Sequence, residues 1–104
     1  MNRKVLFLVI LAAMLVAPLT LVTAQDSYTL GLSLSTLNNP FFVTLRDGAQ
    51  AAADAAGAQL VVVDSQDDPA TEAANMEDLI AQGVDAILVN PTDGDAIVPS
   101  IEAA

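Results

Sequence analysis

The chain has 104 residues, 54% of them hydrophobic, with 13 acidic side chains against three basic ones and neither cysteine nor histidine. Disulfides, thiolate chemistry, the usual general base and the usual zinc ligand are therefore all missing. A formal charge of −10 repels phosphate backbones and anionic membrane surfaces, which argues against nucleic acid as a partner.

Met1-Asn2-Arg3-Lys4 is a short basic segment, and Val5 to Ala17 is an apolar run of 13 residues. Val22-Thr23-Ala24 fits the small-x-small pattern before a cleavage point. Residues 1–24 are thus expected to be a secretory signal peptide cut after Ala24. A membrane anchor is the alternative, but Pro18 and Thr20 interrupt the run, which also falls short of the roughly 20 residues that span a bilayer. No cysteine stands near the cut to carry a lipid. The mature chain is expected in a periplasmic or other extracytoplasmic space and not spanning a membrane. Arg46 is its single basic residue, so residues 25–104 carry 1 − 13 = −12.

Tyr28 to Ser35 places leucine at every second position from 30 to 34, which predicts a strand. Asn39-Pro40 opens a helix with a cap and a first-turn proline. The helix is expected to run to about Ala56, with Phe42, Leu45, Ala49, Ala52 and Ala56 on its inner face and Gly57 as terminator. Leu60 to Asp64 is a β-branched run of the kind buried on both sheet faces. Asp68-Pro69 caps a second helix with Ala73, Met76 and Ile80 inward, ending at Gly83. Ala86 to Asn90 reads as a third buried strand. Thr92 with Asp95 resembles a capping box, so the last helix is expected to start near Asp95.

Strand alternating with helix three times predicts an α/β fold, a parallel sheet with helices on both faces. Ile101 to Ala104 reads as mid-helix, so the chain is expected to be a fragment of something longer or to end at a premature stop. A minimal three-stranded domain that self-associates is the alternative.

The Ser35-Thr36-Leu37-Asn38-Asn39-Pro40-Phe41-Phe42 segment lies at the carboxyl end of the first strand, where open α/β sheets bind small ligands. Asparagine exchanges hydrogen bonds with hydroxyls and phenylalanine offers a flat apolar face. That segment, with Asp47-Gly48-Ala49-Gln50, Val62-Val63-Asp64-Ser65-Gln66 and Asn90-Pro91-Thr92-Asp93, resembles the ribose-binding branch of the periplasmic binding proteins of ABC transporters. The resemblance runs in order and in register over nearly all of residues 28 to 104. It implies two α/β lobes joined by a hinge, with residues 25–104 as the N-terminal part of the first lobe of a sugar-binding domain, a monosaccharide ligand with D-ribose foremost, and delivery to a membrane permease. It further implies that Asn39 and Asn90 hydrogen-bond sugar hydroxyls while Phe41 and Phe42 pack on the sugar ring. No catalysis, cofactor or metal is expected.

Plainer roles compete at each position. Asn39 can simply cap its helix, Phe42 can be core, and Asn90-Pro91 can be a strand-ending turn. Asp64, Asp67 and Asp68 resemble a magnesium cluster, but the helix start beside them favours capping and solvation. A transcription regulator of this fold needs a basic DNA-binding segment where the signal peptide stands. A phosphoacceptor domain needs acidic residues at Asn38 and Asn39 and a later lysine, and a flavodoxin needs a glycine-rich phosphate loop.

Overall fold

The computed structural model describes residues 26–104; residues 1–24, expected to be a signal peptide, lie outside the described residues. Six elements follow in order: β1 (Thr29–Leu34), α1 (Pro40–Ala56), β2 (Gln59–Asp64), α2 (Pro69–Ala81), β3 (Ala86–Val89) and α3 (Val98–Ala103). The three strands form one parallel sheet in the order β2-β1-β3. Thr29 pairs with Gln59 and Leu34 with Asp64 on one side of β1, and Leu30 pairs with Ala86 and Ser33 with Val89 on the other. The first crossover runs outward to β2 and the second runs back past β1, so right-handed connections put α1 and α2 on opposite faces.

The first two helices start where local chemistry dictates. Asn39 is extended (φ −138°, ψ 127°) and its side chain accepts from Phe41 N, while Pro40 fills the first turn with a preset φ and no N–H to satisfy. Asp68 repeats the arrangement ahead of Pro69, accepting from Ala70 N and Thr71 N. At the far end of α1, Gly57 adopts φ +69° and donates to Ala53 O and Asp54 O. Only glycine enters that left-handed region without a Cβ penalty.

The core sits around β1. Leu32, Leu34, Ala53, Met76, Leu79 and Ile97 are buried. Gly31 is buried where α2 crosses the sheet, because a Cβ there would stand 3.0 Å from Leu79 Cδ1. Burying a leucine fully contributes about 1.5–3 kcal/mol, so these contacts dominate the stability.

Several expectations need correction. On α1 only Ala53 is fully buried and Phe42 and Ala49 are half-buried, whereas Leu45, Ala52 and Ala56 are exposed. The inner stripe is thus rotated by about one residue from the expected one. On α2 the buried residues are Glu72, Met76 and Leu79, so Ala73 and Ile80 only flank the contact. Neither β2 nor β3 is buried on both faces, because each lies at a sheet edge. Leu88 is 53% exposed, since α1 packs over β2 and leaves that side of β3 open. The last helix begins at Val98, after a turn over residues 94–97. Asp93 holds that turn by accepting from Asp95 N at 2.9 Å and Ala96 N at 2.8 Å. Thr92 forms no capping box; it bonds to Glu72 instead.

Candidate functional site

All three strands end on the same edge, so the segments after Leu34, Asp64 and Val89 converge there. The segment after β1 is shaped by its neighbours. Leu37 N donates to Asp64 Oδ1 at 3.2 Å, and Gln66 N donates to the same oxygen at 2.9 Å. Asp67 N donates to Ser35 O at 2.7 Å, and Asn38 N to Thr36 Oγ1 at 3.1 Å. One carboxyl oxygen of Asp64 therefore ties the first two loops together. Gln66 and Asp67 both take positive φ, 53° and 58°. That conformation costs a non-glycine residue about 1–3 kcal/mol, and the surrounding bonds hold it.

Asn39 Oδ1 accepts from Phe41 N at 2.9 Å, so the side-chain oxygen is committed to the helix start. Among the described residues its two amide N–H donors have no partner. Phe41 is 65% exposed and Phe42 half-buried, their rings meeting edge to face with centroids 5.2 Å apart. Phe42 thus contributes to core packing and Phe41 presents an apolar surface to solvent. Across the edge, Asn90 N donates to Ser33 O at 2.9 Å, which extends the ladder of β3 by one bond. Asn90 Oδ1 accepts from Ser35 Oγ at 3.0 Å. The first and third loops are thereby in direct contact, and among the described residues the Asn90 amide N–H donors have no partner.

Ser35 is the member of this cluster that the sequence reading missed as an individual contributor, although it stood in the motif. Asp64, expected to cap and be solvated, accepts backbone N–H bonds from two different loops. Asp68 accepts from Thr71 Oγ1 at 2.6 Å and from Thr71 N at 3.0 Å. Those two bonds, in that order, hold its carboxyl below the usual range, with a smaller part from Ala70 N. The amides of Ala96 and then Asp95 do the same for Asp93. Among the described residues no group of three or more acidic side chains is placed to hold a metal ion. Among them, too, no helix is long and apolar enough to cross a membrane.

The model of the periplasmic binding protein domain matches residues 30–104. The chain belongs to that family. Its members are substrate-binding transport proteins and not enzymes. The ribose import binding protein of Escherichia coli K12 is 47% identical over all 104 residues of this chain, which align with 35% of its own length. The ribose import binding protein of Bacillus subtilis is 51% identical over 80 residues, 77% of this chain and 26% of that protein. Among solved structures, an ABC transporter solute-binding protein from Mycobacterium smegmatis with bound glycerol superposes with a TM-score of 0.73 at 35% identity. It covers 75% of this chain, which covers 27% of it. One from Actinobacillus succinogenes with bound D-allose gives a TM-score of 0.68 at 31% identity, covering 73% of this chain and 27% of that one. The chain spans about a third or less of the length of the relatives it matches.

Proposed function

We propose that this chain is the sugar-facing part of the first lobe of an extracytoplasmic solute-binding protein that captures a monosaccharide for an ABC-transporter permease. D-ribose is the favoured ligand. The observation that carries the reading is the Ser35–Asn90 hydrogen bond at the carboxyl edge of the sheet, which ties the loop that leads to Asn39 and Phe41 to the loop that begins at Asn90. In this reading the amides of Asn39 and Asn90 meet sugar hydroxyls, Phe41 stacks on the ring, and Phe42 supports it from the helix face. A hydroxyl-matched amide rejects analogues without that hydroxyl, because the amide is then left unpaired. The relatives named for ribose import support ribose over other sugars, and the allose- and glycerol-bound structures support polyols as the wider class. The basic and apolar start of the sequence supports export across a membrane.

Half a cleft leaves one face of the ligand in water, so residues 25–104 alone bind sugar weakly. The experiment is an NMR titration of this chain with D-ribose, with glycine betaine as a control of similar polarity. Selective shifts at Asn39, Phe41, Phe42 and Asn90 are expected, with saturation only in the millimolar range or above. Absence of any shift at high millimolar ribose, or equal shifts with betaine, removes the sugar reading. Micromolar affinity would instead overturn the half-cleft argument.

A further inference from the structure

Glu72 is buried to 1% exposure, and among the described residues no cation pairs with it. Arg46, the single basic residue of the described segment, pairs with Asp47 at 2.8 Å. A buried carboxyl group without a counter-charge is costly unless hydrogen bonds hold it. Among the described residues the bonds to its carboxyl all come from Thr92. Thr92 N donates to Glu72 Oε1 at 3.1 Å and to Oε2 at 3.2 Å, and Thr92 Oγ1 donates to Oε2 at 2.9 Å.

Thr92 stands two residues after Asn90, with Pro91 between them. Proline has a locked φ and no N–H. Only the ψ angles of Asn90 and Pro91 are therefore soft between the Asn90 Cα and the Thr92 nitrogen. Asn90 N is fixed upstream on Ser33 O. Fixing Thr92 downstream leaves the segment little freedom, and the Asn90 amide stays beside Ser35. We propose that Glu72 is a positioning residue for the ligand site: its carboxyl group clamps Thr92 and so holds the Asn90 amide at the binding edge. The proposal rests on the reading of Asn90 as a sugar contact.

The test follows the Asn90 side-chain amide of the 104-residue chain by NMR during titration with D-ribose, in wild type and variants. Glu72→Ala is expected to cut the ribose-induced shift roughly threefold or more, while Glu72→Gln, which keeps a carbonyl acceptor for Thr92 N–H, restores most of it. Thr92→Val, which loses only the hydroxyl bond, reports on the clamp should Glu72→Ala fail to fold. It is expected to reduce the shift and to speed exchange of the Thr92 amide roughly tenfold. Ala53→Gly lowers stability in α1, away from the loop, and leaves the Asn90 response unchanged. A wild-type Asn90 amide that ignores ribose overturns the sugar contact and this proposal together. A wild-type response that Glu72→Ala or Thr92→Val leaves intact, or that Ala53→Gly reduces equally, overturns the positioning role alone.

Discussion

Gly31→Val tests the packing of the core at its tightest point. The ideal Cβ at position 31 lies 3.0 and 3.2 Å from the two Cδ atoms of Leu79 and 3.5 Å from Ile87 Cγ1. Leu79 has 0% exposure, so it cannot swing into solvent to make room. Overpacking a filled site costs about 1–3 kcal/mol, and two further methyl groups in the same gap place valine at the upper end. Restricting the unfolded chain returns only about 0.4–1 kcal/mol. The net expectation is a loss of about 2 kcal/mol. In a domain stabilised by about 0.05–0.15 kcal/mol per residue this is a large share. Urea denaturation followed by far-UV circular dichroism reads it directly: with a slope near 1 kcal/mol/M, the midpoint falls by about 2 M. Leu79→Ala alone opens a cavity at a cost of about 2–5 kcal/mol, but combined with Gly31→Val the valine fills part of the void. The double variant is expected to be at least about 1 kcal/mol better than the sum of the singles. An unchanged midpoint in Gly31→Val, or strict additivity in the double variant, would show that Leu79 does not bear on Gly31.

Asn39→Ser separates capping from ligand contact. Serine caps as well as asparagine, so the melting curve is expected to stay within about 0.5 kcal/mol of wild type while the ribose-induced shifts shrink; Asn39→Ala, in contrast, loses about 1 kcal/mol, and equal stability of the two variants would contradict the cap. Phe41→Ala removes a ring that is 65% exposed, so urea melts are expected to change by less than about 0.5 kcal/mol, with loss of the sugar response measured by NMR. Asp68 and Asp93 both titrate below their ordinary value of 3.8 in the folded chain. The unfolded chain therefore takes up these protons first as pH falls, and their stabilisation is whole above about pH 4 and disappears as pH drops through the folded values. Replacing both with asparagine is expected to flatten the acid limb of stability against pH, and an unaltered limb in urea melts across that range would contradict it.

What was legible in the sequence was what local chemistry decides. Asn39-Pro40, Asp68-Pro69 and Gly57 announce helix ends through bonds within a few residues, and the structure places those ends accordingly. The alternation of Leu30, Leu32 and Leu34 marked β1, although the pattern could not tell that this strand is central and the β-branched run at Leu60 to Val63 is an edge. Edge and centre depend on strand order, which has no local signature. The face of α1 was misjudged because alanine carries little hydrophobic contrast: Ala52 and Ala53 differ only in which one meets the sheet. Glu72 was unreadable for a similar reason. Its partner Thr92 is 20 residues away in sequence and on another element, and a glutamate in a helix ordinarily signals solvent.

The position of β1 at the centre of the sheet also orders the route by which the molecule assembles. Thr29 must find Gln59, a separation of 59 − 29 = 30 residues, whereas Leu30 must find Ala86, a separation of 86 − 30 = 56. Nearly doubling the loop adds about 0.5 kcal/mol of closure entropy, which favours closing β1 on β2 over closing β1 on β3 by about two- to threefold. With the β1–β2 pair as the folding nucleus, changes in β3 are expected to act after the rate-limiting step. Substitutions at Ile87 or Val89 would quicken unfolding and leave the folding rate nearly untouched, whereas changes at Leu32 or Val62 would slow folding itself.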